Sequence, residues 1–207
     1  MASPSVRRDI RSHPTPGPAA APAPSTASTA STASTASPAS TVDGTALRGA
    51  LRCHPSGVAV LTAAGPEGPA GVTITSMTSI SAEPALVSFA LAESSSTWHR
   101  VRSCDWFGIQ ILSADQHDLA QRFATTGIDR FAPPTRWHTG PHGVPLLDGC
   151  LSWLVCSLHD RYRLGDHHLV VGAVRHTVSG APGDSLVHVH GSLRPVAAPA
   201  LTEAGAD

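Results

Sequence analysis

Two long strand patterns, Leu151 to Arg163 and His167 to Val178, are separated only by Leu164-Gly165-Asp166. A connection that short makes them antiparallel neighbours. Shorter strand patterns precede them. Gly57 to Ala64 (GVAVLTAA) is apolar and bounded by turn formers, and Gly65-Pro66-Glu67-Gly68-Pro69 reads as a hairpin connection. Gly71 to Ser81 (GVTITSMTSIS) alternates small hydroxyls with Val, Ile and Met. Ala85 to Leu91 (ALVSFAL) and Asp105 to Leu112 (DWFGIQIL) continue the β signal, and Val187 to Leu193 reads as one last strand. Only two segments read as helices. Ser94 to Cys104 has hydroxyls followed by a helical pattern, and Ser113 opens a helix to about Ala124 as its N-cap, with Gln116 at the capping-box position. Between Thr125 and Asp148 lies a long irregular segment of prolines, glycines and isolated aromatics, the kind of segment that forms functional surface. The pattern predicts a mainly β chain, a closed antiparallel barrel with a few short helices, which leaves no exposed sheet edge.

The first 44 residues differ. Ser25 to Ser37 reads STASTASTASTAS, and prolines recur from Pro4 to Pro38 with large apolar side chains nearly absent. Such a segment cannot bury enough surface to offset its ordering entropy. The predicted organisation is a disordered tail over 1–44, a domain over 45–196 and a flexible end over 197–207. Arg7-Arg8 is followed by Pro, Thr, Ala and Ser rather than the apolar stretch of a twin-arginine export signal, while an organellar transit peptide stays open on composition.

Composition excludes several chemistries. All 14 basic residues are arginine, so there is no lysine for a Schiff base, a phosphate loop or a Ser-x-x-Lys pair. A net charge of −1 argues against a phosphate-neutralising grip on nucleic acid. With four Trp, four Phe and one Tyr, a stacking platform for single strands is unsupported. The glycines around Gly65 have two prolines among them and no helix after them, against a dinucleotide loop. Cys53, Cys104, Cys150 and Cys156 never form Cys-x-x-Cys, so they read as small buried apolar residues in a reducing cytoplasm. No run approaches the roughly 18 apolar residues of a membrane span.

Four groups of residues can carry chemistry. Ser94-Ser95-Ser96-Thr97 at a helix start is either ordinary capping or an anion site, where free N–H groups and hydroxyls hold a phosphate with help from Arg100 or Arg122. Thr73 and Thr75 would share a strand face next to Ser76, as a solvated face or as donors to a polar ring edge or a sugar-alcohol chain. His167 stands where a turn feeds a strand, at the surface or against a ligand at the barrel mouth. His188 and His190 would share a strand face but have no third metal ligand at a diagnostic spacing, so no metal site is assigned. A Ser-His-Asp hydrolase lacks its Gly-x-Ser-x-Gly elbow.

In order along the chain stand HPSGVAVLTA (54–63), GVTITSMTSISAEPALVSFAL (71–91), SSSTWHRV (94–101), LSADQHDLAQRFA (112–124), DRF (129–131), GVPLLDGCLSWLVCSL and GDHHLVVGAV (165–174). Together they resemble the flavin reductase-like family, the FMN-binding split barrels that serve two-component flavin monooxygenases, from about Leu47 to Pro195. The resemblance implies a split β-barrel homodimer with a flavin near the subunit interface. On it, Thr73, Thr75, Ser76 and Met77 line the isoalloxazine and ribityl chain, and Leu91, Ser95, Ser96 and Thr97 sit by the ribityl and phosphate. Arg122 and Phe123 match the family's Arg-Phe pair beside the flavin, and His167 matches the histidine associated with the nicotinamide nucleotide. The family often has Asn where Thr75 stands, and a Tyr in the last strand where this chain has His188 or His190.

The implied activity is hydride transfer from NADH or NADPH to FMN, with FAD as the alternative, followed by release of reduced flavin to a separate monooxygenase. The cofactors carry the reactivity and the protein stacks the rings. Two rivals remain at the level of sequence: a flavin-binding module without reductase activity, and a flavoenzyme acting directly on an organic substrate in a pocket formed by Thr125 to Asp148.

Overall fold

A computed structural model describes residues 41–199. The predicted tail, apart from its last residues, and the chain from residue 200 lie outside that range. The chain enters through α1 (Gly44–Leu51), started by Asp43, whose carboxylate accepts from the backbone N–H of Thr45 and Ala46 at 2.8 Å each. Neither predicted helix covers this one. Then come β1 (Ser56–Gly57), β2 (Ala59–Gly65), β3 (Gly68–Ile74), β4 (Thr78–Ser81) and β5 (Leu86–Ala92). They are followed by α2 (Ser96–Val101), β6 (Trp106–Ile111) and, after a 3-10 turn, α3 (His117–Ala124). The irregular segment holds a small hairpin of β7 (Trp137–Thr139) and β8 (Pro145–Leu147). The long hairpin is β9 (Ser152–Leu164) and β10 (His167–Ser179), and a second hairpin, β11 (Ser185–Val189) and β12 (Ser192–Val196), ends the fold.

Seven strands form one antiparallel sheet in the order β3-β2-β6-β9-β10-β5-β4. The ladder does not continue from β3 to β5 at the seam. Instead the Ser76 hydroxyl reaches across, donating to the carbonyl of Ala90 at 3.1 Å and accepting from its N–H at 3.0 Å. The architecture is mainly β with few short helices, as the pattern predicts. The interior holds Leu61, Phe89, Leu91, Trp98, Phe107, Ile109, Cys156 and Val170. A second cluster of Val58, Val60, Leu112, Ala120, Phe123, Phe131 and Leu147 lies on the other side of β2. Since β2 is buried on both faces, its sequence runs apolar without alternation.

α3 presses Ala120 and Phe123 onto the β2–β3 hairpin. A fully enclosed phenylalanine such as Phe123 stabilises by about 1.5–3 kcal/mol. Gly71 permits that contact, since a Cβ there would stand 2.8 Å from the Phe123 ring.

Several expectations are corrected. The strand predicted over Gly71–Ser81 breaks at Thr75–Met77, where the chain crosses the seam. The single last strand is a hairpin: His190, at φ 51°, occupies its turn with Gly191, so His188 and His190 do not share a strand face. Of the four cysteines, Cys150 and Cys156 are buried as expected, but Cys53 is exposed and Cys104 half-buried; all four are free thiols. Among the described residues, no group of three His, Cys, Asp or Glu is placed to hold a metal ion. No helix among them is long and apolar enough to cross a membrane.

Candidate functional site

β5 runs out at Ala92, and the chain turns through Glu93-Ser94-Ser95 into α2. Ser95 occupies the N-cap of that helix, but its side chain makes no capping hydrogen bond. α2 has only six residues, so its dipole is small, and the positive potential here comes from side chains instead. Ser96 and Thr97 line a cavity of about 440 Å³ together with Arg100 and Arg130. Arg130 enters from the irregular segment and donates from Nη1 to the carbonyl of Gly71 at 2.6 Å and to the Thr97 hydroxyl at 2.9 Å. Arg100 donates from Nη2 to the carbonyls of Glu67 and Pro69. Burial, and then the like charge of Arg100, pull the Arg130 guanidinium below its usual range. An arriving dianion would relieve that repulsion. Glu67, 3.9 Å from Arg100, and Asp129 also line the recess, and the buried Thr97 hydroxyl is already bonded to Gly71 and Arg130. The two guanidinium groups and the exposed Ser96 hydroxyl are therefore what suit a phosphate ester, bound without lysine.

Arg122 and Phe123 stand behind this cavity. Arg122 donates to the carbonyls of Asp129, Arg130 and Ala132 at 2.7, 3.1 and 3.1 Å. Phe123 is fully enclosed and meets Phe131 edge-on at 5.2 Å. Between them they hold the loop that presents Arg130. The sequence points to Arg122 and Phe123 but not to Arg130. Its signal was the DRF tripeptide, with Asp129 accepting from the N–H of Phe131 and Ala132 so that the loop folds back.

The Thr73–Met77 group divides. Thr73, on β3, donates its hydroxyl to the carbonyl of Ala120 at 2.7 Å, a bond that ties α3 to the sheet. Thr75, Ser76 and Met77 lie in the seam crossing and, with His54, Pro55 and Gly57, line a second recess of about 400 Å³. Through Ser76 this crossing is bonded to Ala90 of β5, the strand that leads to Ser94–Thr97. Leu91 points into the barrel interior at 5% exposure.

His167 opens β10 directly opposite Ala92, which sets it beside the start of the α2 segment. The turn before it is fastened there by the Glu93 N–H donating to the carbonyl of Asp166 at 2.9 Å and by the Arg163–Glu93 ion pair at 2.8 Å. His167 Nδ1 lies 2.7 Å from the Asp166 carboxylate. That hydrogen bond, and then the ring's charge, hold the Asp166 carboxyl below the ordinary range. With Nδ1 so engaged, Nε2 is the free nitrogen of an imidazole that is about half-exposed.

Residues 51–197 match the family model of the flavin reductase like domain. The NADH:FMN oxidoreductase of Rhodococcus erythropolis is 42% identical over 127 residues, 61% of this chain; the chain spans 66% of that relative. A flavin reductase of Pseudomonas putida is 33% identical over 135 residues, 65% of this chain and 79% of its own length. BorF, the flavin reductase component of a bacterial two-component tryptophan halogenase, superposes with a TM-score of 0.70 at 29% identity over 76% of this chain and 100% of its own. The chain belongs to the flavin reductase-like domain family.

Proposed function

We propose that this protein is an NAD(P)H:flavin oxidoreductase that reduces FMN, or FAD, and passes reduced flavin to a partner monooxygenase. The carrying observation is the recess at the start of α2, where Arg130, Arg100, Ser96 and Thr97 converge, with Ser96 four residues after Ala92, the strand partner of His167. In this reading Arg130, Arg100, Ser95, Ser96 and Thr97 hold the flavin phosphate. Thr75, Ser76 and Met77 border the ring end, and His167 offers Nε2 to the nicotinamide nucleotide. Flavin held by these residues would supply the hydride acceptor for the nicotinamide nucleotide, so the protein would need no strong acid or base at the reacting atoms. Its residues bind, orient and bring two planar molecules together, and that proximity is its contribution to rate. Arg122 and Phe123 act through Arg130, and Thr73 through α3.

Relatives support the partner: one similar protein is the reductase component of a flavin-dependent trigonelline monooxygenase of Acinetobacter baylyi. A second copy of the chain as dimer partner is supported by α1, which buries none of its residues and leaves Leu47 and Leu51 50% and 55% exposed. Four free thiols suit a reducing cytoplasm.

The test is consumption of NADH and NADPH by the purified protein with FMN, FAD or no flavin. Oxidation that depends on added flavin is the expected result. Flavin binding without turnover would favour a flavin-binding module instead. Replacing His167 with Ala is expected to raise the KM for the nicotinamide nucleotide while leaving flavin affinity in place; equal loss of both would remove the role assigned to it.

A further inference from the structure

His168 follows His167 on β10 but points the other way, to the barrel interior, because successive side chains alternate across a strand. There its imidazole lies flat on the indole of Trp98, with ring centroids 4.0 Å apart and planes 17° from parallel. Trp98 is the third residue of α2, directly after Ser96 and Thr97, and is 5% exposed. Nε2 of His168 is buried and makes no hydrogen bond. The ring's contribution at this position is its flat face.

A six-residue helix cannot hold its own place. α2 is held by Val101 in the core, by Thr97 through Gly71 and Arg130, and by Trp98 on His168. Val101 and Trp98 share the core with Val170 of β10, and the stack adds a contact to His168, the residue next to His167. The ring pair joins the body of α2 to the start of β10, while the Glu93–Asp166 hydrogen bond and the Arg163–Glu93 ion pair tie only the chain that enters the helix.

We propose that the Trp98–His168 stack is a positioning device that sets the placement of the α2 recess relative to His167, and so the alignment of flavin and nicotinamide. The proposal rests on the reductase reading. It has a specific kinetic consequence. Each ligand's affinity depends on its own half-site, whereas hydride transfer depends on how the two half-sites stand to each other. Loss of the stack should therefore lower kcat and spare binding.

The experiment compares wild type with His168→Ala, His168→Leu and His168→Phe, measuring FMN affinity by fluorescence titration, KM for NADH, kcat and the urea midpoint. His168→Ala and His168→Leu are expected to lower kcat about tenfold to a hundredfold, the scale of a misplacement near 1 Å, with FMN Kd and NADH KM within about threefold. His168→Phe keeps a flat ring on Trp98 and removes an unpartnered buried nitrogen. It should restore most of kcat and unfold no earlier than wild type. Unchanged kcat in the Ala and Leu variants, kcat loss matched by equal loss of both affinities, or rescue by Leu as complete as by Phe would each overturn the proposal. Should His168→Ala fail to fold, the Leu and Phe variants, alike in filling the space, carry the comparison. Wild-type protein that binds flavin but does not oxidise NADH or NADPH overturns the reductase reading itself, a result seen before any variant is made.

Discussion

Two helical segments of this chain begin with a serine, and the two serines are used in opposite ways. Ser113 is spent on its own backbone. Its N–H donates to Gln116 Oε1 at 3.2 Å in a capping box, its hydroxyl bonds Asp115, and Gln116 Nε2 goes on to the carbonyl of Asp148. Ser95 makes no capping bond, and its six-residue helix is held in place by tertiary contacts instead. Beside Ser95 the chain gathers Ser96, Thr97, Arg100 and Arg130 around an open recess, whereas the Ser113 side chain is itself buried. A hydroxyl that satisfies a helix end is structure, and one that makes no capping bond is available to another partner.

Removing the cation tests the contrast most severely. Arg130→Ala is expected to weaken FMN binding about tenfold to a hundredfold, since hydrogen bonds to charged groups contribute roughly 1.5–3 kcal/mol. Arg122→Ala should act in the same direction but less strongly, and should add little on top of Arg130→Ala, because its three bonds go to the loop that carries Arg130. Flavin fluorescence titration of the single and double variants checks both.

The two serines give a paired prediction. Ser113→Ala should lower stability by about 1 kcal/mol in urea unfolding and leave FMN affinity alone. Ser95→Ala should leave the urea midpoint alone and weaken FMN binding about twofold to tenfold, the worth of one neutral hydrogen bond. The reverse pattern would exchange their roles.

A smaller effect should leave both helix starts untouched. Burial pushes the Cys150 and Cys156 thiols up to about 12 from 9.0. The folded state then keeps protons that the unfolded chain loses above pH 9, so stability is fully present below that pH and falls as pH rises toward 12. Urea midpoints between pH 8 and pH 10.5 should decline, and a Cys150→Ala/Cys156→Ala variant should show a shallower decline while binding FMN as before.

Much of this was legible in the sequence because local chemistry decided it. The β9–β10 hairpin followed from Leu164-Gly165-Asp166 and its flanking strands, and the capping box at Ser113 from a four-residue pattern. The last strand was misread because His190 adopts a positive φ in a His-Gly turn, which an alternating Val-His-Val-His pattern conceals. At the site, Ser95, Ser96 and Thr97 were visible as consecutive hydroxyls before a helix. Arg130 was not, since it reaches Thr97 only once the 129–132 loop folds back over Gly71. Arg122, which the family resemblance places beside the flavin, turns its guanidinium to three carbonyls of the 129–132 loop, a contact that no periodicity shows.

The central claim is that the α2 recess holds the flavin phosphate, and riboflavin, which lacks that phosphate, tests it directly. The measurement is the affinity of wild type and Arg130→Ala for FMN and for riboflavin at fixed ionic strength. The account predicts that wild type prefers FMN, that Arg130→Ala loses most of that preference, and that riboflavin binds both proteins alike. An FMN preference that survives in Arg130→Ala, or an equal loss of FMN and riboflavin binding, would place the phosphate elsewhere.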